Sequence, residues 1–157
     1  MKTLILYATK YGATGEVARR IADRIEDAAV YDLKQNDIPP VAGFDRVIIG
    51  SPVYAGTIRK EVKAFVSQNA DALHGKAVGL FLAGLSPERG KACFDANFPP
   101  DVLQSAKATG CLGGIFDPKK AGAMERFIMK MVARQSGYTD TIDDNKIEQF
   151  VEAMNAC

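Results

Sequence analysis

Short apolar runs alternate along this chain with longer stretches in which apolar residues recur every three or four positions. The short runs have the length of buried β-strands and are too short for helices. They lie at Thr3–Ala8, Ala29–Leu33, Asp45–Gly50, Ala77–Ala83 and Thr109–Phe116. The longer stretches predict amphipathic helices. These begin after Thr14 and then cover Ile58–Leu73, Arg89–Phe98, Asp101–Ala106, Ala121–Gln135 and Asp143–Asn155.

Strands that alternate with helices of this length indicate right-handed βαβ units and a parallel sheet. We therefore predict an α/β fold, a doubly wound three-layer sandwich around a five-stranded parallel sheet of order 2-1-3-4-5. In such a sheet, ligands bind beyond the carboxyl ends of the strands at the switch point, here between strands 1 and 3. The loops after these two strands are the first candidates for a binding site.

The loop after strand 1 has the composition of a phosphate-binding site. It consists of Thr9, Lys10, Tyr11, Gly12, Ala13 and Thr14. The N–H groups of the helical turn that follows lack partners within the helix, and the helix dipole favours an anion there. The loop has neither the Gly-Lys-Ser/Thr ending of a P-loop nor the G-x-G-x-x-G spacing, which favours a single phosphomonoester. The alternative is a capped helix with Thr14 as N-cap and no ligand.

The loop after strand 3, Ser51–Thr57, offers an aromatic face that suits stacking on a planar ring. Its candidate binding residues are Pro52, Val53, Tyr54, Ala55 and Gly56. The loop after strand 4 would supply the opposite wall, with Ala83, Gly84, Leu85 and Ser86. Tyr54 is alternatively an aromatic residue in a surface turn, but the convergence of two loops favours a ligand.

Length and composition limit the other classes. The 157 residues predict one domain, 1–157, and a net charge of +1 gives no electrostatic basis for a nucleic-acid partner. Three cysteines (Cys93, Cys111 and Cys157) without metal-ligand spacing and a single histidine predict no metal site. We interpret that histidine, His74, as the end of a helix with Gly75 at the C-cap. With no signal peptide and no membrane-spanning run, we expect a cytoplasmic protein.

At these motifs the chain resembles the flavodoxin family over most of its length. Thr9-x-x-Gly12-x-Thr14 is similar to that family's FMN-phosphate loop, and Gly50–Gly56 is similar to its first isoalloxazine loop. The resemblance implies noncovalent FMN and a function in electron transfer. It places Thr9, Tyr11, Gly12, Ala13 and Thr14 at the phosphate, with loop amides and hydroxyls as donors, and Tyr54 against the ring. The one basic side chain expected near the ring is Arg59.

The chain departs from typical flavodoxins at three points. Tyr11 stands where they carry Thr, and Ala83–Ser86 lacks their Gly-Asp pair and aromatic residue. The net charge of +1 also differs from the strongly acidic surface with which electron-carrier flavodoxins dock onto basic partners. These departures keep an enzymatic function open.

Two segments near the end, Met124–Met131 and Ser136–Thr141, resemble the tail of flavodoxin-type protoporphyrinogen oxidases. Those enzymes pass electrons from protoporphyrinogen IX through FMN to menaquinone. The resemblance thus implies menaquinone-dependent protoporphyrinogen IX dehydrogenase activity, in heme biosynthesis, as the alternative to electron transfer with a redox partner protein. The basic amphipathic helix predicted at Ala121–Gln135 would suit the inner face of a membrane. We favour instead a helix packed on the sheet.

A third and remote alternative is a regulatory domain of the same fold without flavin, similar to response regulators. That class needs an acidic cluster after strand 1 and a phosphorylatable Asp after strand 3. The chain has Tyr7-Ala8 and Ile49-Gly50-Ser51 at those places. The sequence identifies no catalytic residue.

Overall fold

The protein is built on a mainly parallel β-sheet. The computed structural model describes residues 1–35, 37–54, 56–84, 87–116 and 139–156. The sheet strands are β1 (Thr3–Tyr7), β2 (Ala28–Asp32), β3 (Arg46–Tyr54), β4 (Thr57–Ile58), β5 (Ala77–Ala83) and β6 (Ala106–Cys111). A separate antiparallel pair is formed by β7 (Ile115–Phe116) and β8 (Thr139–Asp140).

The five parallel strands follow the spatial order β2-β1-β3-β5-β6, and β4 pairs antiparallel with β3. β1 lies between β2 and β3, with Leu4 opposite Ala29 of β2 on one side and Val47 of β3 on the other. Because β5 and β6 are the fourth and fifth parallel strands, the predicted order 2-1-3-4-5 is confirmed. The switch point therefore lies where β1 and β3 end.

Helices cover both faces of the sheet. They are α1 (Ala13–Ala22), α2 (Lys60–Gln68), α3 (Ala70–Leu73), α4 (Gly90–Asn97), α5 (Pro100–Ser105) and α6 (Asp144–Asn155), with short 3-10 turns at Val41–Gly43 and Pro87–Arg89. The last of these helices begins as the sequence predicts. The Asp143 carboxylate accepts hydrogen bonds from the N–H groups of Asn145 and Lys146, which are free at a helix start.

The core has two layers because successive strand residues point to opposite faces. Leu4 and Leu6 of β1 pack in the layer under α2, α4 and α5, whereas Ile5 between them packs in the layer under α1 and α6. All three side chains are fully buried. Burial on both faces explains the apolar runs that mark the central strands.

The region after strand 3 corrects two predictions. β3 does not end at Gly50 but continues to Tyr54, turns at Gly56 (φ +77°) and returns as β4. The helix predicted at Ile58–Leu73 is therefore shorter and is also divided at Asn69 into α2 and α3. The Asn69 side-chain amide donates to the Phe65 carbonyl at 2.9 Å and so competes with the helical hydrogen bonds. The predicted helix end at His74 is confirmed, but exposed His74 itself takes the C-cap position and Gly75 (φ +85°) follows it.

The predicted fifth strand, Thr109–Phe116, is wrong at both ends. β6 begins at Ala106 and ends at Cys111, and the chain leaves the sheet at Gly113 (φ +88°). A side chain at Gly113 would collide with the Thr141 carbonyl group. The close approach of a segment far along the chain thus ends the strand.

The helix predicted at Ala121–Gln135 and the segments Met124–Met131 and 136–138 lie outside the described residues, as does Cys157. Within the described parts of the chain, no helix is both long and apolar enough to cross a membrane.

Candidate functional site

The loop after β1 leads into α1 with a backbone suited to an anion. Gly12 is the residue before the helix and has φ +97°, a left-handed conformation that favours glycine. Its N–H donates to the Thr9 hydroxyl oxygen at 2.8 Å, which fixes the loop. Gly12 thus takes the N-cap position that the ligand-free alternative gives to Thr14, and no side chain of the described residues caps the helix. The first-turn N–H groups have no acceptor within the helix.

Thr14 is the second residue of α1, and its side chain is fully buried. Its hydroxyl oxygen is shielded from water and has no hydrogen-bond partner in the described structure. A buried hydroxyl without a partner costs about 1–3 kcal/mol. Such a group at the start of a helix fits a ligand oxygen that would complete its hydrogen bonding.

Gly15 allows β1 and α1 to approach closely beside the loop. A Cβ at Gly15 would lie 3.1 Å from the Tyr7 ring, so the aromatic ring packs directly on the helix backbone. Burial, followed by the Asp32 carboxylate, raises the pKa of Tyr7, against a smaller opposing effect of Arg19. A cavity of about 250 Å³ opens here, lined by Tyr7, Thr9, Gly12, Gly15, Glu16, Arg19 and Val30. The loop therefore borders a recess.

The second candidate loop is the tight hairpin between β3 and β4. The pairs Val53–Ile58 and Tyr54–Thr57 close it. Buried Ser51 holds its base, because the Ser51 hydroxyl accepts from the Arg59 N–H at 2.9 Å and donates to the Pro52 carbonyl at 2.8 Å. The hairpin presents Tyr54 with 38% of its surface exposed, whereas Pro52 is buried and Val53 partly buried.

Asn97, at the end of α4, holds the tip of this hairpin. Its side-chain amide donates to the Gly56 carbonyl at 2.8 Å, and its side-chain oxygen accepts from the Ile58 N–H at 3.3 Å. The same amide also donates to the Cys93 carbonyl at 2.8 Å within α4. Sequence reasoning missed Asn97, since 41 residues separate it from Gly56 and no motif marks it.

The two loops meet at their aromatic residues. The ring centroids of Tyr11 and Tyr54 lie 6.4 Å apart with the planes perpendicular, an edge-to-face contact. The ammonium group of Lys10 lies 5.4 Å from the Tyr11 centroid and 5.5 Å from the Tyr54 centroid. Both distances fall within the range of cation–π attraction. The structure thus brings together the loops that the switch-point rule selects.

A compensated ion pair lies at the base of the hairpin. Arg59 Nε and Glu61 Oε2 are 3.4 Å apart, and both side chains are mostly buried. Burial raises the pKa of Glu61, but its own backbone N–H and the Arg59 guanidinium together lower it more, so the pKa falls below its usual 4.5. Burial raises the pKa of Tyr54, with a smaller opposing effect of Arg59. Tyr54 is therefore a neutral aromatic surface at physiological pH.

The third predicted loop is described only in part. Ala83 is 3% exposed and packs in the core at the end of β5. Gly84 follows it and lies against the backbone of Gly114. The predicted site residues Ala55, Leu85 and Ser86 lie outside the described residues.

The structure also describes the histidine and two of the cysteines to which the sequence analysis assigns no role in the site. His74 is exposed at the end of α3, and Cys93 and Cys111 are partly buried free thiols. The described residues contain no group of three metal-ligating side chains. A larger cavity, of about 750 Å³, lies along β6 between α4 and α6 and includes none of the predicted site residues.

A family model described as "Flavodoxin domain" matches residues 4–143. This chain belongs to the flavodoxin family. The match includes both candidate loops, β1 from Leu4 onward and the other four parallel strands, and it confirms the family resemblance drawn from the sequence. The doubly wound topology agrees with this assignment.

Individual relatives agree with the assignment. The chain is 25% identical over 158 residues to "Protoporphyrinogen IX dehydrogenase [quinone]" of Escherichia coli, covering 90% of this chain and 84% of that protein. The Streptococcus pneumoniae flavodoxin superimposes with a TM-score of 0.63 at 20% identity, over 98% of this chain and 97% of that one. A Fusobacterium nucleatum flavodoxin bound to flavin mononucleotide gives 0.51 at 20% identity, over 74% and 72%. These structural likenesses show the flavodoxin fold.

Proposed function

We propose that this protein binds FMN noncovalently and transfers electrons through it. The observation that carries the proposal is the meeting of the loops after β1 and β3, seen in the 6.4 Å contact between Tyr11 and Tyr54. This places a helix N-terminus and an exposed aromatic ring side by side at the switch point of a doubly wound sheet. A ligand with both a phosphate and a planar ring matches that combination.

The phosphate would be held at the start of α1. The N–H groups of Tyr11, Ala13 and Thr14, the flexible backbone of Gly12 and the hydroxyls of Thr9 and Thr14 are its proposed ligands. The buried Thr14 hydroxyl, which lacks a partner in the described structure, supports this assignment. The helix dipole adds electrostatic stabilisation. The residues present therefore fit the phosphate of FMN.

The ring would be held by the hairpin and by the loop after β5. Tyr54 would cover one face, and the backbone of Pro52, Val53, Ala55 and Gly56 would border its edge. The loop residues Ala83, Gly84, Leu85 and Ser86 would form the other wall. Bound FMN supplies the electron chemistry, because flavins accept and release one or two electrons. The protein's residues bind and orient it and keep water from the ring.

The proposed partner of this site is a redox protein or a quinone. The Escherichia coli relative, whose name states protoporphyrinogen IX dehydrogenase activity with a quinone, supports a specific form of this proposal. In that form the chain oxidises protoporphyrinogen IX and delivers the electrons to menaquinone. The near-neutral charge of the chain, +1, agrees with a small-molecule partner better than with steering by a charged protein.

An anaerobic experiment tests the proposal. The protein is loaded with FMN and mixed with protoporphyrinogen IX, and the flavin absorbance is followed before and after addition of a quinone; free FMN at the same concentration is the control. Bleaching faster than that of free FMN, with recovery on adding the quinone, would support the dehydrogenase. Bleaching by dithionite but not by the porphyrinogen would leave electron transfer with another donor. A bound flavin that dithionite cannot reduce would contradict both forms.

A further inference from the structure

Two free thiols face each other across the contact between α4 and the edge strand β6, outside both candidate loops. Cys93 belongs to α4, and Cys111 is the last residue of β6. Both side chains are partly buried and pack against the same layer of the core. The fold thus brings two cysteines from different elements to one place.

The sulfur of Cys111 packs on the first turn of α4. A Cβ built at Gly90 would lie 2.5 Å from Cys111 Sγ and 3.7 Å from Cys111 Cβ. The second distance is within the range of about 3.5–4.5 Å that separates the Cβ atoms of a disulfide. Because Gly90 has no side chain, the Cys111 sulfur occupies the space in front of it.

Cys93 follows Gly90 by one turn on the same face of α4. Helix positions three apart have Cβ atoms about 5–6 Å from each other, and helical side chains lean toward the N-terminus. The Cys93 side chain therefore leans toward the turn on which Cys111 packs. Burial raises the pKa of the Cys111 thiol, the Cys93 thiol raises it further, and Lys146 has an opposing effect. The two thiols are thus close enough to interact electrostatically.

A small reagent has a route to this pair. Cys111 and Gly90 both line the cavity of about 750 Å³ along β6. The sulfur of Cys111 is therefore at the wall of an open recess rather than sealed in the core.

We propose that Cys93 and Cys111 form a redox-active pair that a low-molecular-weight disulfide converts to an intramolecular disulfide bond. A thiolate of the pair attacks the reagent, breaks its S–S bond and releases one small thiol; the second protein thiolate then displaces the other. The pair gives up two electrons and two protons, which reduce the reagent to two thiols. The proposal does not depend on flavin binding.

The new bond would have a structural consequence. It would tie α4 to β6, and α4 ends at Asn97, whose side chain holds the tip of the β3–β4 hairpin. Oxidation of the pair would thus restrain the helix that positions one wall of the candidate site.

The test uses the full chain with the C157S substitution, so that only Cys93 and Cys111 can react. The protein is equilibrated in buffers of reduced and oxidised glutathione, both folded and unfolded in urea, and the reaction is stopped with acid. Mass spectrometry distinguishes the free dithiol, mixed disulfides with glutathione and the internal disulfide, and peptide mapping locates the bond. Circular dichroism establishes that the sample without urea is folded during the reaction.

We expect the folded chain to favour the internal disulfide at least about tenfold more than the unfolded chain, because the fold raises the effective concentration of one thiol at the other. C93S/C157S and C111S/C157S should form only mixed disulfides. An equal or weaker preference in the folded chain would show that the fold holds the thiols apart, and would overturn the proposal. Two mixed disulfides on each folded chain, or a disulfide between two chains, would overturn it as well. None of these outcomes affects the proposed FMN site.

Discussion

The side-chain amide of Asn97, the last residue of α4, donates a hydrogen bond of 2.8 Å to the carbonyl oxygen of Gly56 at the tip of the β3–β4 hairpin. This bond fixes the peptide that follows Gly56, which belongs to the same hairpin as Tyr54. The Ile58 N–H donates to the Asn97 side-chain oxygen at 3.3 Å, which is a second hydrogen bond between Asn97 and the hairpin. A helix on one face of the sheet thus positions a loop proposed to border the flavin.

Substitution of Asn97 should weaken FMN binding through the hairpin. In N97A the tip loses two hydrogen bonds, each worth about 0.5–1.5 kcal/mol, so we expect roughly tenfold weaker FMN binding by fluorescence titration. N69A is the matched control, because Asn69 also donates to the carbonyl four residues before it but makes no hydrogen bond to the described residues of the hairpin. N97A should lose more stability than N69A in a thermal melt, because it also removes the two hydrogen bonds to the hairpin. Equal FMN affinity in N97A and wild type would show that Asn97 does not position the site.

Replacement of Thr14 should have opposite effects on stability and on binding. T14V removes a buried hydroxyl that lacks a partner in the described structure, so the free protein should become no less stable. A hydrogen bond to a charged group is worth about 1.5–3 kcal/mol, so the same change should weaken FMN binding about tenfold to a hundredfold. Riboflavin, which has no phosphate, serves as the internal control and should bind T14V and wild type equally. A matching loss for riboflavin would indicate general damage to the loop.

Gly50 should tolerate no side chain, because it lies directly against the Phe81 ring. A Cβ there would collide with the ring, and both residues are in the centre of the sheet. We expect G50A to lower the free energy of unfolding in urea by about 1–3 kcal/mol. The matched variant G43A has open space around its Cβ and should change stability by less than about 1 kcal/mol. If G50A and G43A both unfolded at the same urea concentration as the wild type, the close contact between Gly50 of β3 and the Phe81 ring of β5 would be contradicted.

The Arg59–Glu61 pair should contribute a pH-dependent stability. Because the pKa of Glu61 in the folded protein lies below its unfolded value near 4.5, the stabilisation is present above that pH and is lost as the pH falls through the folded pKa. We expect E61Q to be about 0.2–1 kcal/mol less stable than wild type at neutral pH. The difference in denaturant unfolding should shrink in acid below pH 4.5. A difference that grew in acid would have the wrong sign for this pair.

Much of the fold could be predicted because the strands carry local signals. The apolar runs of β1, β3 and β5 are buried on both faces, and their length and alternation with helices determine the topology. Of the two strand boundaries that the sequence predicts wrongly, one depends on a distant contact and the other on a local hairpin. β6 ends where Gly113 meets Thr141, and β3 lengthens because Thr57 and Ile58 fold back on it.

In the candidate site, too, some residues could be predicted from the local sequence and others could not. The loop Thr9–Thr14 and the aromatic Tyr54 have local composition that suggests a ligand, and the switch-point rule brings them together. The hydrogen bond from Asn97 to Gly56 and the position of the Lys10 ammonium group depend on side-chain packing between separate elements. No sequence spacing encodes those contacts, so they had to be seen in the structure.

The loops after β1 and β3 form the proposed FMN site. The most direct measurement is a titration of flavin-free protein with FMN, followed by quenching of flavin fluorescence, with riboflavin titrated in parallel. We predict saturation at one FMN per chain and markedly weaker binding of riboflavin, because the start of α1 would hold the phosphate. Absence of quenching at FMN concentrations well above that of the protein, or equal affinity for the two flavins, would contradict it.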